Sequence, residues 1–131
     1  MDYLLDTCTI IWMLTDPKKL SAQTRKIILD NGVDIFYSPI SMWEIALKYS
    51  TGKLDLRGGT PDDLMAALDD EPFDCLDVFP GIWAQSYELP RLHSDPFDHL
   101  LVWEALTNDL TFLSADKKLR AYESEGLRII A

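Results

Sequence analysis

Short apolar runs alternate with helix-forming segments along the whole chain, and this alternation constrains the fold more than any other feature. Tyr3-Leu4-Leu5 reads as a first strand ending at Asp6-Thr7. Ile35-Phe36-Tyr37, a stretch within 73–79 that acids interrupt at Asp74 and Asp77, Thr111-Phe112-Leu113 and Arg128-Ile129-Ile130 supply the others. Between them, helices are predicted over 21–29 with Ser21 as N-cap, from Ser41 to about Thr51, over 61–70 with Thr60 as N-cap and Pro61 at N1, over 81–88, over 95–107, and over 116–124 closed by Gly126. Ile10 to Leu14 is apolar nearly all round, as expected of a helix covered by the sheet or by a partner. Strands alternating with helices imply parallel βαβ units, hence a three-layer α/β/α sandwich around a parallel sheet of about five strands. No repeat or linker divides the 131 residues, so residues 1–131 are expected to form one domain.

Composition narrows the class further. With 47% apolar and 26% charged residues the chain is globular in kind, and two cysteines, Cys8 and Cys75, neither frame a disulfide scaffold nor match a zinc spacing. Both are expected to be reduced and buried. The N-terminus has no basic leader and carries Asp2 and Asp6, and no apolar run approaches the roughly 18 residues that span a bilayer, so a soluble, cytoplasmic protein without membrane attachment is expected. The net charge of −10 argues against a polyanionic partner, but residues 1–60 hold seven acids and seven bases, while Asp62 to Asp77 contributes seven acids and no base. That stretch is expected to be a solvated acidic face, and a divalent cation elsewhere could invert the local sign.

Four acids fall at one edge of the predicted sheet. In a right-handed βαβ unit, strand C-termini and helix N-termini share one edge of the sheet, the edge that holds ligands in open α/β folds. Asp6 ends the first strand, Glu44 lies in the first turn after the second, Asp98 opens the helix before the fourth, and Asp116 follows the fourth. Two carboxylates about 4 Å apart repel by roughly 4 kcal/mol at an effective dielectric near 20, so such a cluster calls for protons or a cation. Oxygen ligands without clustered Cys or His select a hard ion, Mg²⁺ or Mn²⁺, and magnesium on carboxylates points to phosphodiester chemistry.

Taken singly, three of these acids also read as helix caps. Ser41-x-x-Glu44 has the form of a capping box, Asp95-Pro96-x-Asp98 of an N-cap with Pro at N1 and an acid at N3, and Asp116 of a dipole-complementing acid after a Ser114 cap. Asp6 is the exception, an acid at a strand end with no N3 cap to make.

In combination, Leu4-Leu5-Asp6-Thr7, Ser41-Met42-Trp43-Glu44-Ile45, Asp95-Pro96-Phe97-Asp98-His99-Leu100-Leu101 and Phe112-Leu113-Ser114-Ala115-Asp116 resemble the PIN domain, specifically the VapC-type toxin ribonucleases of toxin–antitoxin modules. The resemblance runs in order across essentially the whole chain. It implies five parallel strands with helices on both sides, a Mg²⁺-dependent endoribonuclease, a homodimer, and a cognate antitoxin that blocks the site. Asp6, Glu44, Asp98 and Asp116 match the acidic quartet, and Thr7 the small hydroxyl residue that often follows the first acid. His99 departs from the arginine common at that position.

The expected chemistry is hydrolysis of RNA by a metal-activated water, with Mg²⁺ on Asp6, Asp98 and Asp116, Glu44 orienting the nucleophile or supporting a second ion, and 5′-phosphate and 3′-hydroxyl products. Lys48, Lys117 and Lys118, together with Thr7, are the proposed substrate contacts, and Lys53, Arg91 and Arg120 are further basic candidates. His93 and His99 are read as exposed or capping, and Trp12, Trp43, Trp83 and Trp103 as core and dimer surface. Two other readings are an inert PIN-like binding module, which would lack one of the acids, and a phosphorelay receiver, which would place paired acids after the first strand where Asp6 is followed by Thr7-Cys8.

Overall fold

A computed structural model describes all 131 residues. Five strands, β1 (Asp2–Leu5), β2 (Asp34–Tyr37), β3 (Asp74–Cys75), β4 (Thr111–Leu113) and β5 (Ile129–Ile130), pair in parallel in the order β3-β2-β1-β4-β5. The chain builds outward from β1 through β2 to β3, then crosses back and adds β4 and β5 on the other side. The order therefore reverses between β1 and β4, and at such a switch point the connections leave in opposite directions and open a crevice beyond the strand C-termini.

Helices α1 (Thr7–Thr15), α2 (Ala22–Ile28), α3 (Pro39–Ser50), α4 (Pro61–Asp69), α5 (Pro80–Ala84) and α6 (Pro96–Thr107) complete the layers. Alternate strand residues feed two cores. Leu4 and Phe112 pack with Leu101, Val102 and Ala105 of α6 and with Leu119 and Tyr122. On the other face, Tyr3, Leu5, Ile35 and Leu113 pack with Ile10 of α1, Ile45 of α3 and Leu64 and Leu68 of α4. A sheet buried on both faces is why the strands read as continuous apolar runs. No helix is long and apolar enough to cross a membrane.

Most predicted helix starts hold. Ser21 accepts from the Thr24 amide, and Thr60 and Asp63 form a reciprocal capping box with Pro61 at N1. Several expectations need correction. Helix α3 begins at Pro39 with Ser38 as N-cap, so Ser41 and Glu44 lie inside the helix and form no capping box. The Ser38-Pro39 pair, an N-cap followed by a proline at N1, is the stronger start signal. Strand β3 keeps only two residues at the sheet edge, where Asp74 and Asp77 interrupt the apolar run. The helix expected over 81–88 divides into α5 and a 3₁₀ segment Gln85–Glu88, and Lys117–Glu125 is 3₁₀, stopped by Gly126 at φ 97°.

Both cysteines are free, as expected, but exposed rather than buried. None of the four tryptophans belongs to the buried core: Trp43 is 59% exposed and Trp83 37%. Their large rings span core edge and solvent, and the small sheet is filled by Leu, Ile and Phe instead. The acids from Asp62 to Asp77 are exposed except for the half-buried Glu71, in agreement with a solvated face.

Candidate functional site

The switch point places Asp6 and Asp116 beside each other in space although they are far apart in sequence. Asp6 leaves β1 and its amide donates to Leu113 O of β4 at 3.0 Å, which fixes the two strand ends together. The Asp6 carboxylate accepts from the Thr7 amide through Oδ1 and from the Ser114 hydroxyl through Oδ2, each at 2.7 Å. It is thus the N-cap of α1, a role the sequence reading did not give it. Asp116 caps the following 3₁₀ segment through the Lys118 amide at 3.0 Å.

Helix α3 brings in Glu44 one turn above the sheet edge. Its Oε1 accepts from the Thr7 hydroxyl at 2.7 Å, and its Oε2 is paired with Lys48 one turn further along the helix. Thr7 is buried and also lies 2.9 Å from Ser41 Oγ, so its hydroxyl is engaged within the protein. Helix α6 supplies Asp98. Asp95 caps that helix, accepting from the amides of Phe97 at 2.8 Å and Asp98 at 3.2 Å, as expected.

Asp6, Glu44, Asp98 and Asp116 line one cleft of about 360 Å³ with Lys48, Lys118, Asp95, Cys8, Trp12 and His93. All four predicted acids thus meet at one place. Lys117 is exposed and stands outside the lining, Arg91 and Lys53 likewise, and Arg120 pairs with Glu123 at 3.6 Å. Trp43 packs edge-on against Phe97 with ring centroids 5.2 Å apart, beside the cleft rather than in it.

The electrostatics of the cleft follow from burial and like charge. Burial, then the neighbouring charges of Asp6, Asp95, Glu44 and Asp116, pushes the Asp98 carboxyl up to about 8. Asp6 is raised to about 6, mainly by burial, against the lowering effect of the Ser114 and Thr7 hydrogen bonds. Although Cys8 as a whole is exposed, desolvation of its sulfur against the cleft wall, then the charges of Asp6 and Glu44, pushes the thiol up to about 11, so it is no ready nucleophile. Several acids sharing a cleft with few cations, two of them held toward the neutral form, fit the donor set of a hard divalent ion. One ligand atom each of His93, Asp98 and Asp116 lies within 4.8 Å of the others, a grouping that could hold such an ion, with the Asp6 carboxylate lining the same cleft.

Two histidine expectations are corrected. His99 is buried on α6, bridging Ser86 O through Nε2 at 3.0 Å and Tyr122 OH through Nδ1 at 3.3 Å, and so ties two 3₁₀ segments to the helix. His93 is largely covered and lies in the cleft, with Nε2 3.5 Å from Asp116 Oδ2. No sequence signal marks His93, because only the path of the loop before α6 turns it inward. Ser114, the residue after β4 at the same edge as Asp6, was legible as a cap but not as the partner of Asp6.

Residues 3–125 match the family model of the PIN domain. The chain belongs to the PIN domain family. The solved structure of VapBC2 from Rickettsia felis, bound to a DNA fragment from their promoter, shares this PIN fold at TM-score 0.71 and 17% identity, with 99% of this chain and 98% of that chain covered. VapBC-1 from nontypeable Haemophilus influenzae follows at 0.67 and 19%, covering 99% and 97%, and DNA-bound VapBC from Salmonella typhimurium at 0.66 and 21%, covering 99% and 97%. No curated protein sequence matches the chain. At these identities the solved structures speak for the PIN fold, and the family match sets aside the phosphorelay receiver.

Proposed function

We propose that this PIN domain is a divalent-metal endoribonuclease, the toxin of a VapBC-type toxin–antitoxin module, with Mg²⁺ as its ion and Mn²⁺ as a substitute. The observation that carries this reading is the convergence of Asp6, Glu44, Asp98 and Asp116 from four separate segments on the switch-point cleft. When bound, the ion supplies an activated water and positive charge for a non-bridging phosphate oxygen. Asp6, Asp98 and Asp116 would hold it, and Glu44, steadied by Thr7, would orient a water toward the phosphodiester. Lys48 and Lys118 at the cleft edge face the incoming phosphates, and Lys117 extends the basic rim. Thr7 acts from beneath as a support for Glu44 and makes no contact with RNA, because its hydroxyl is engaged inside the protein.

The partners proposed with this activity are an RNA substrate, a cognate antitoxin and a second copy of the chain, all in the cytoplasm, with residues 1–131 acting as a single domain. An apolar groove of about 220 Å³ formed by Met13, Leu20, Ile28 and Leu29 between Arg25 and Glu71 offers a seat for an amphipathic antitoxin segment. Trp43 and Leu47, one turn apart on α3 and both exposed, supply apolar surface for the homodimer.

The test is incubation of the purified chain with a mixed RNA pool and Mg²⁺ or Mn²⁺, beside an EDTA control and Asp6→Asn. Discrete cuts with 5′-phosphate ends, lost in both controls, are expected. A folded protein that binds Mg²⁺ and leaves every RNA intact favours the inert module; cleavage that survives both controls overturns the mechanism.

A further inference from the structure

His93 sits where an ion-binding reading and a hydrogen-bonding reading compete. One nitrogen of His93 and one oxygen each of Asp98 and Asp116 lie within 4.8 Å of one another, a grouping that could hold a metal ion. Nδ1 lies 3.9 Å from Asp98 Oδ2, beyond hydrogen-bond distance, and the hydrogen bond it does make decides between the two readings. His93 Nδ1 accepts from the Asp95 backbone amide at 3.0 Å, so its lone pair is occupied and it carries no proton. In a neutral imidazole the proton then resides on Nε2, the nitrogen 3.5 Å from Asp116 Oδ2. A nitrogen bearing a proton is a donor and not a ligand.

The geometry points to His93 as a positioning residue, one whose Nε2–H holds the Asp116 carboxylate in its ligating orientation while the Asp95 amide fixes the tautomer. Such outer partners orient a ligating group. Asp116 is held less fully than Asp6. Asp6 is held on both oxygens, by Thr7 and Ser114, whereas Asp116 is half-exposed and only its Oδ1 is held, by the Lys118 amide. His93 Nε2 lies 3.5 Å from the other oxygen, and it reaches the cleft because Asp95 both starts α6 and offers its own amide to the ring. One residue thereby couples the segment that carries Asp98 to the carboxylate that follows β4.

This inference rests on the metal-nuclease reading, and the experiment separates the two. Long-range ¹H–¹⁵N correlation spectra of the wild-type chain, without and with Mg²⁺, read the His93 tautomer directly. A proton on Nε2 in both states is expected; an Nδ1–H tautomer, an imidazolium, or loss of the Nε2 proton on loading overturns the proposal. Calorimetric Mg²⁺ binding supplies the second readout. His93→Leu is expected to weaken binding by about 10- to 100-fold, the usual cost of losing such a partner. His93→Gln, which keeps an N–H donor, is expected to recover most of it. In an Asp116→Asn background His93→Leu is expected to change nothing further, because the group through which it acts is already lost. Wild-type-like binding by His93→Leu, or an undiminished effect in the Asp116→Asn background, overturns the role. A wild-type chain that binds no divalent ion while His93 shows its Nε2 proton overturns the metal reading instead.

Discussion

Thr7 and Glu44, 37 positions apart in the chain, are joined by a hydrogen bond of 2.7 Å from hydroxyl to carboxylate. Both residues are buried, and the bond ties the first turn of α1 to the middle of α3. A helix start that follows one strand thus steadies an acid that follows another. The arrangement explains how a carboxylate at the end of a flexible side chain keeps a defined position at the floor of an open cleft.

Replacing Thr7 by Val keeps the shape and removes the donor. Glu44 Oε1 is then left without its partner in a buried setting, and the expected loss is about 1–3 kcal/mol of unfolding free energy. Cleavage is expected to fall with it, because Glu44 is no longer oriented. Thr7→Ser keeps the hydroxyl and is expected to retain most of both. Urea unfolding and RNA cleavage of the two variants check this, and a stable, fully active Thr7→Val denies the support role.

The raised carboxyls make a linked prediction about pH and metal. Asp6 at about 6 and Asp98 at about 8 hold protons in the folded state that the unfolded chain releases near 3.8. The folded state therefore binds more protons in that window, and the stability these groups contribute is complete below pH 3.8 and lost as pH rises through 6 and 8. The Asp6 shift alone corresponds to about 3 kcal/mol. In EDTA, thermal stability is expected to decline with rising pH more steeply in wild type than in Asp98→Asn, which has no such charge to bury. Mg²⁺ is expected to raise the Tm more at about pH 9 than at about pH 6, with proton release at the lower pH. Equal slopes for the two proteins, followed by calorimetry, contradict the assignment.

How much of this was legible beforehand differs by scale. The alternation of apolar runs and caps carried the parallel sheet, and the acids at strand ends carried the quartet, because both depend on local periodicity and on which edge a strand ends. What stayed hidden depends on side chains meeting across distant segments. Ser114 on Asp6, Thr7 on Glu44 and His93 toward Asp116 are such meetings, with separations of 108, 37 and 23 positions in the chain. Local spacing also misleads at one helix start. Ser41 and Glu44 have the spacing of a capping box, yet Ser38-Pro39 begins the helix a turn earlier, and Glu44 is turned to the cleft. The hydrophobicity of a tryptophan does not say whether its ring faces the core or the solvent, and Trp43 is 59% exposed.

Lys48 offers a third prediction. Its ammonium group pairs with Glu44 at the cleft and is itself partly exposed. Removing one positive charge from a site that must attract a divalent cation favours the cation, while it also deprives incoming phosphate of a partner. Lys48→Gln is therefore expected to bind Mg²⁺ several-fold more tightly and to cleave RNA less efficiently through a raised KM. Lys48 is partly exposed but Glu44 is buried, so losing the pair is also expected to lower stability modestly. Calorimetry and steady-state kinetics separate the two effects, and weaker Mg²⁺ binding denies Lys48 the role of competing cation.

Glu104 lies outside the cleft and tests whether the acids there are special. It is fully buried on α6, its Oε2 accepts from Trp83 Nε1 at 2.7 Å, and its Oε1 has no partner. Burial raises its carboxyl above the ordinary value, with the Ser38 hydroxyl and Trp83 partly offsetting that. The contact joins α5 to α6, and Trp103 Nε1 completes the join by donating to Ile82 O at 2.7 Å. A buried carboxylate with one oxygen unpaired carries a desolvation cost that a neutral amide of the same shape avoids. Glu104→Gln is therefore expected to keep the Trp83 bond and to stabilise the fold, by about 1 kcal/mol near neutral pH. The sign with pH follows from the raised carboxyl: wild type loses stability as pH rises, so the advantage of the variant grows in that direction. Mg²⁺ affinity and cleavage are expected to stay unchanged, in contrast to every substitution of the cleft acids. Unfolding at several pH values measures the first effect and RNA cleavage the second; a Glu104→Gln chain that loses cleavage while folded places this carboxylate in the working site after all.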